Sequence, residues 1–291
     1  MRTFFLERDF VEVQTPLLVS TLAPEINIEP FTLDTYSGAE SRYLITSPEL
    51  NMKRLLASGL DKIFQLGPVF RKGERGSLHL PEFTMLEWYR KKADYRDLMK
   101  DCELLLRAAA FTLYGDTSQI LLANNKISLK PPFHVIRVDD AFRKWAGWSP
   151  LESCEPDRFD HDMVTIIEPK LPKDKPVFLI EYPAWQASLA RLSPHDKRVA
   201  ERVELYINGI ELANGFSELV DRKEQEERFK QETARMLKAG REAYPRQSHF
   251  LNALDELGEC AGMALGIDRL IMVVTGAEKI DEVVAFTPEE C

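Results

Sequence analysis

The hydrophobic period of the chain changes several times, and each change marks an element. Over "FTMLEWYR" (Phe83–Arg90) the side chains alternate. Phe83, Met85, Glu87 and Tyr89 share one face of a strand, and Thr84, Leu86, Trp88 and Arg90 share the other. Asp61–Arg71 predicts its partner and Gly73–Pro81 the loop between, so the pair makes a long hairpin. "YRDLMKDCELLLRAAAFTL" then spaces apolar residues three and four apart, as a helix does. Upstream, Tyr43–Ser47 predicts a short strand. Ser47 reads as a helix cap, Pro48 as the first helical position and Glu49 as part of the first turn, in a helix that stops at Gly59. "MRTFFLERDF" reads as the last two turns of an amphipathic helix that begins before residue 1.

Residues from about 115 to 176 are rich in proline and read as an insertion with some helix. Three strands are predicted after it, "VFLIEY", "RVELYI" and "IELANGFSEL". Asn208–Gly209 predicts a tight turn between the last two, although one long bent strand also fits. A charged helix from Asp221, a second helix, a glycine-rich strand "AGMALG" and a final helix from Ile267 follow. Hairpins separated by helical excursions predict an α+β fold, a mostly antiparallel sheet flanked by helices, as a single domain over residues 1–291.

Composition narrows the class. A 44% hydrophobic and 29% charged content suits a soluble globular chain. No apolar run approaches the roughly 20 residues that span a bilayer, so no membrane role is expected. Arg2, Glu7 and Arg8 argue against a signal peptide. Cys102, Cys154, Cys260 and Cys291 form no CxxC pair, which points away from zinc and disulfides and towards the cytoplasm. A net charge of −9 opposes a broad nucleic-acid-binding surface.

Four constellations carry candidate chemistry. Glu87 shares a strand face with aromatic rings, so it either pairs with a structural Arg or Lys or lines a pocket. Asn214, Phe216 and Glu218 share a face, whereas Glu211 has the opposite parity; it faces away unless a bulge near Asn214 or Gly215 re-aims it. Glu204 and Glu211 are either solvated edges or a pair that needs a cation, for which oxygen ligands favour magnesium or manganese. Arg71, Lys72, Arg75 and His79 make either an ordinary solvated loop or a clasp for phosphates. Arg269, in the first turn of the last helix, adds a guanidinium to a helix N-terminus.

Together, and in this order, the segments resemble the three signature motifs of class II aminoacyl-tRNA synthetases. "FVEVQTPLL" resembles the first, near residues 1–19; "FRKGERGSLHLPEFTMLEWY" the second; and "GMALGIDRL", within 262–275, the third. "TSPEL", "MKRLL" and "ELYINGIELANGFSEL" resemble the lysyl branch. "YPAWQASLARL" and Ala264, where lysyl-tRNA synthetases usually carry glycine, resemble the elongation factor P lysine ligases. The resemblance implies the class II catalytic fold without an anticodon-binding domain. It implies a homodimer, with tRNA binding not expected, that activates (R)-β-lysine or lysine with ATP and Mg2+ and transfers it to elongation factor P.

The resemblance also implies roles. Arg71 and Arg269 are the catalytic cations. Arg71, Glu74, His79, Phe83, Glu204, Glu211 and Arg269 bind ATP, with Phe83 below adenine, Arg269 above it, and Glu204 and Glu211 on the metal. Glu49, Glu87, Tyr89, Asn214, Phe216, Glu218 and Ala264 bind the amino acid, Glu87 and Glu218 taking its side-chain ammonium. Two positions depart from the family: Gly73 stands where the second motif has glutamate, with Glu74 next to it, and Leu80 stands where the lysyl branch has asparagine. A lysyl-tRNA synthetase fragment and a non-catalytic regulatory paralogue are the competing readings.

Overall fold

The structure, a computed structural model, describes residues 1–34, 41–121 and 126–291. Its centre is an eight-stranded sheet in the spatial order 11–12, 62–70, 82–91, 260–266, 210–217, 199–207, 177–183 and 134–137. The six inner strands are antiparallel, and only the two edge strands pair in parallel. The predicted hairpin is paired along its length, from Lys62 opposite Arg90 to Phe70 opposite Glu82. This is the α+β architecture that the alternation predicts.

The strand parity separates two environments. On one face Phe64, Leu86, Trp88, Leu205 and Leu265 pack under the helix Tyr95–Tyr114, which contributes Leu98, Cys102, Leu105 and Leu106. Each fully buried leucine there stabilises by about 2 kcal/mol. Asp94 caps that helix in a capping box with Asp97, and Gly115 ends it in the left-handed region. Among the described residues the opposite face is covered at its two ends and, over Val69 and Met85, by Ile45. At one end helices Glu49–Ala57 and Ser248–Leu257 pack Met52, Leu56, Leu251 and Leu254 against Ile63 and Tyr89. At the other, Phe142, Phe159 and Ile167 pack against Leu179, Tyr182 and Tyr206. Between the ends the sheet is open, and a cleft of about 960 Å³ lies on it.

Several boundaries differ from expectation. Residues 115–176 are not merely an insertion: His134–Arg137 forms the last strand of the main sheet, parallel to Val177–Ile180. A four-residue edge strand with half-exposed positions leaves little periodic signal. The first helix is a short Arg2–Leu6 segment, after which Asp9, at φ 63°, turns the chain. The helix placed at Pro48 begins at Glu49, yet the Ser47 hydroxyl still accepts the Glu49 N–H at 3.1 Å. Asn208 and Gly209, at φ 54° and 81°, make a two-residue hairpin turn, which excludes the single bent strand.

Candidate active site

The cleft gathers residues far apart in sequence because strands 82–91, 260–266, 210–217 and 199–207 lie side by side. Of the predicted site residues, every one but Glu218 lines it. The parity problem at Glu211 is solved by a bulge. Leu205 pairs with Ala213 but Tyr206 pairs with Glu211, so Leu212 is the extra residue. The bulge returns Glu211 to the face of Glu204, which sits opposite Asn214.

One end of the cleft carries the cationic side chains Arg71 and Arg269. Arg269 donates through Nε to the Leu78 carbonyl at 3.1 Å and through Nη1 to the Glu211 carbonyl at 2.9 Å. Its Nη2 lies 2.7 Å from His79 Nε2. Burial and the Arg269 charge hold His79 below its ordinary pKa, so the ring is a neutral acceptor beside the guanidinium. Asp268 accepts the Thr84 N–H at 2.7 Å and so ties the last helix to the central strand. The Arg71 guanidinium lies 5.2 Å from the centre of the Phe83 ring. Gly73, at φ 79°, turns the loop so that the Glu74 carboxylate comes 3.7 Å from Arg71 and faces the cleft. Leu80 is buried with Met272 and Ile280.

The acidic pair is unequal. Glu204 accepts from Arg202 at 2.6 Å, from Tyr206 at 2.8 Å and from Tyr182. Among the described residues the Glu211 carboxylate keeps only a 3.4 Å contact with Arg269, and burial together with the Glu204 charge raises its pKa. Among the described residues no three His, Cys, Asp or Glu side chains are placed to hold a metal by themselves.

The other end is a carboxylate pocket walled by rings. Glu87 is 2% exposed; its Oε1 accepts the Tyr89 hydroxyl at 2.5 Å, and burial, with Glu49 nearby, pushes its pKa up to about 8. Gly262 makes the packing possible. A Cβ there would lie 2.1 Å from Tyr89 Cε1 and 2.7 Å from Glu218 Oε1.

Residues 1–290 match the family described as class II tRNA synthetases (D, K and N). The chain belongs to this family. It is 39% identical over 298 residues to an elongation factor P–(R)-β-lysine ligase of Salmonella arizonae, covering 99% of this chain and 91% of the relative. Proteins of the same name from Yersinia enterocolitica and Vibrio cholerae are 41% and 40% identical, each over 98% of this chain and 91% of the relative.

Within this synthetase site the structure adds residues that the motifs did not single out. Arg202 bridges Glu204 and the Asn214 amide oxygen, at 2.6 and 3.2 Å. Glu25 lines the cleft, and burial and Glu49 push its carboxyl up to about 7. Lys53 is 1% exposed and pairs with both Glu49, at 2.5 Å, and Glu218. Its signal was legible: Glu49, Met52, Lys53 and Leu56 share a helix face, so Lys53 is a charge inside an apolar stripe.

Proposed function

We propose that the chain activates (R)-β-lysine with ATP as an aminoacyl-adenylate and transfers the acyl group to a lysine of elongation factor P. The observation that carries this reading is the two-ended cleft, cationic at Arg71 and Arg269 and acidic at Glu49 and Glu87. The names of the relatives support the same substrate and acceptor.

Arg71 holds the substrate carboxylate against the α-phosphate and stabilises the charge that gathers there during in-line attack. His79 and Arg269 hold the outer phosphates, and Phe83 stacks on adenine. Glu74, placed beside Arg71 by Gly73, supports the view that it replaces the missing glutamate of the second motif. Glu87 takes the side-chain ammonium, while Glu49 and Asn214 orient the other polar groups of the amino acid. Phe216 and Ala264 shape the pocket beside them.

Magnesium fits this donor set as an ion shared with the triphosphate, since it needs only one or two protein carboxylates. Glu211 would hold it directly, and Glu204, fixed by Arg202 and two tyrosines, would stand beside it. When bound, magnesium neutralises charge on the leaving pyrophosphate. In the second step the acceptor amine loses a proton as its N–C bond forms and AMP leaves. Glu25, in the same cleft with a pKa near 7, is suited to take that proton.

An elongation factor acceptor implies a cytoplasmic enzyme. Leu6, Val11 and Leu18 are exposed within the first-motif segment, which supports a homodimer built on that face. No helix among the described residues is long and apolar enough to cross a membrane. The test is to isolate the enzyme with its labelled adenylate and chase it with elongation factor P or with tRNA. Label passing to the factor is the expected result; label passing only to tRNA overturns the proposal.

A further inference from the structure

Lys53 is a buried cation in a pocket assigned to a cationic substrate. Its ammonium lies 5.3 Å from the Phe216 ring centre, 5.9 Å from that of Phe250 and 6.0 Å from that of Tyr89. It pairs with Glu218 Oε2 and Glu49 Oε1. Two further carboxylate oxygens, Glu218 Oε1 and Glu87 Oε2, are buried without a hydrogen-bond donor among the described residues. Both belong to side chains at Tyr89: its hydroxyl donates to Glu87 Oε1, and its ring and Glu218 Oε1 both crowd the bare Cα of Gly262. Gly262 lines the cleft, whereas Glu218 does not. The Tyr89 ring fills the space beside Gly262, so Glu218 Oε1 lies directly behind the cleft wall that Gly262 and Tyr89 form.

We propose that Lys53 is a positioning residue for the amino-acid pocket. It clamps Glu218 through Oε2 and so turns Oε1 towards a seat shared with Glu87 Oε2, where a substrate ammonium completes the set. An isolated buried carboxylate takes up a proton rather than keep its charge. Burial pushes the Glu218 carboxyl well above its ordinary range, and the Lys53 ammonium is the charge that opposes that push. Without Lys53 nothing holds Oε1 in that orientation, and the seat loses the cation that favours an ionised Glu218. This inference rests on the functional reading above, and only on its first step.

The test is ATP–pyrophosphate exchange with lysine and with β-lysine, in the wild type, Lys53→Met, Glu218→Gln and the double variant. K53M is expected to raise the amino-acid KM by about 10- to 100-fold, the scale of one charge-assisted contact, and to leave the ATP KM within about twofold. With Glu218 already neutral there is no charge at 218 for Lys53 to hold, so the double variant should match E218Q in amino-acid KM. K53M by itself leaves an unpaired carboxylate in the core and can fail to fold. The double variant removes the pair together, and its comparison with E218Q still decides the matter. An unchanged amino-acid KM in folded K53M overturns the proposal. So does a double variant about tenfold or more weaker than E218Q. A wild type that exchanges normally but never labels elongation factor P sinks the assigned acceptor and leaves Lys53 in its role.

Discussion

Adding one methyl group at Gly262 tests the pocket most sharply. In Gly262→Ala the new Cβ would lie 2.1 and 2.4 Å from two carbons of the Tyr89 ring and 2.7 Å from Glu218 Oε1. Carbon atoms settle about 3.5–4.0 Å apart, so the ring has to retreat by roughly 1.5 Å. It has little room, because Tyr89 is 3% exposed and packs against Ile63, Met52 and Leu257. Overpacking of this kind costs about 1–3 kcal/mol, which a thermal melt reads. Moving the ring also breaks the 2.5 Å hydrogen bond to Glu87 and shifts the wall of the proposed ammonium seat. Without its orienting donor Glu87 should hold the amino acid less well, raising the amino-acid KM by about 10- to 100-fold, the scale of one charge-assisted contact. The ATP KM should stay near wild type, since Arg71, His79 and Arg269 lie at the other end of the cleft. Gly67→Ala is the control: it lies two strands away in the same sheet, and its Cβ would meet nothing within 4 Å. If G262A keeps both the wild-type amino-acid KM and the wild-type melting temperature, the pocket is not where we place it.

Three further perturbations separate the parts of the site. Glu204→Gln should lower stability by about 3 kcal/mol in denaturant unfolding, because it strips the charge from a mostly buried partner of Arg202. Glu211→Gln should instead leave stability nearly unchanged and raise the magnesium concentration needed for half-maximal exchange. Arg269→Lys cannot reach Leu78, Glu211 and His79 together, so its ATP KM should rise by about tenfold or more in an exchange assay. Glu87 gives a pH prediction. Its folded pKa, about 8, is above the unfolded value, so the folded state binds more protons between roughly pH 4.5 and 8 and Glu87 lowers stability as pH rises through that window. An ammonium needs the ionised form, so calorimetry at pH 7 in buffers of different ionisation enthalpy should detect about one proton released as the amino acid binds.

The strands of the site were legible because the sheet is half-covered. One face alternates into the core and the other into the cleft, so Phe83, Glu87 and Tyr89 announced a shared side, and the odd parity of Glu211 announced a bulge. The edge strand His134–Arg137 was not legible, because an edge with half-exposed positions carries no strong alternation. Glu218 shows a different limit. Its residue type pointed to a cation, but nothing in the spacing says that a chain lysine four residues after Glu49 already meets it. Glu25 was missed because Glu49 and the other charges around it come from distant segments that only folding brings together; Arg202 lies two residues before Glu204 on the same strand face, so its place at the cleft was open to the alternation argument.

The central claim is the pairing of β-lysine with a protein acceptor. Its most direct test offers labelled (R)-β-lysine and ATP to the enzyme with elongation factor P and total tRNA in one tube, and separates the two acceptors afterwards. The account predicts label on a lysine of the factor and none on tRNA. Charged tRNA beside an unlabelled factor would contradict it.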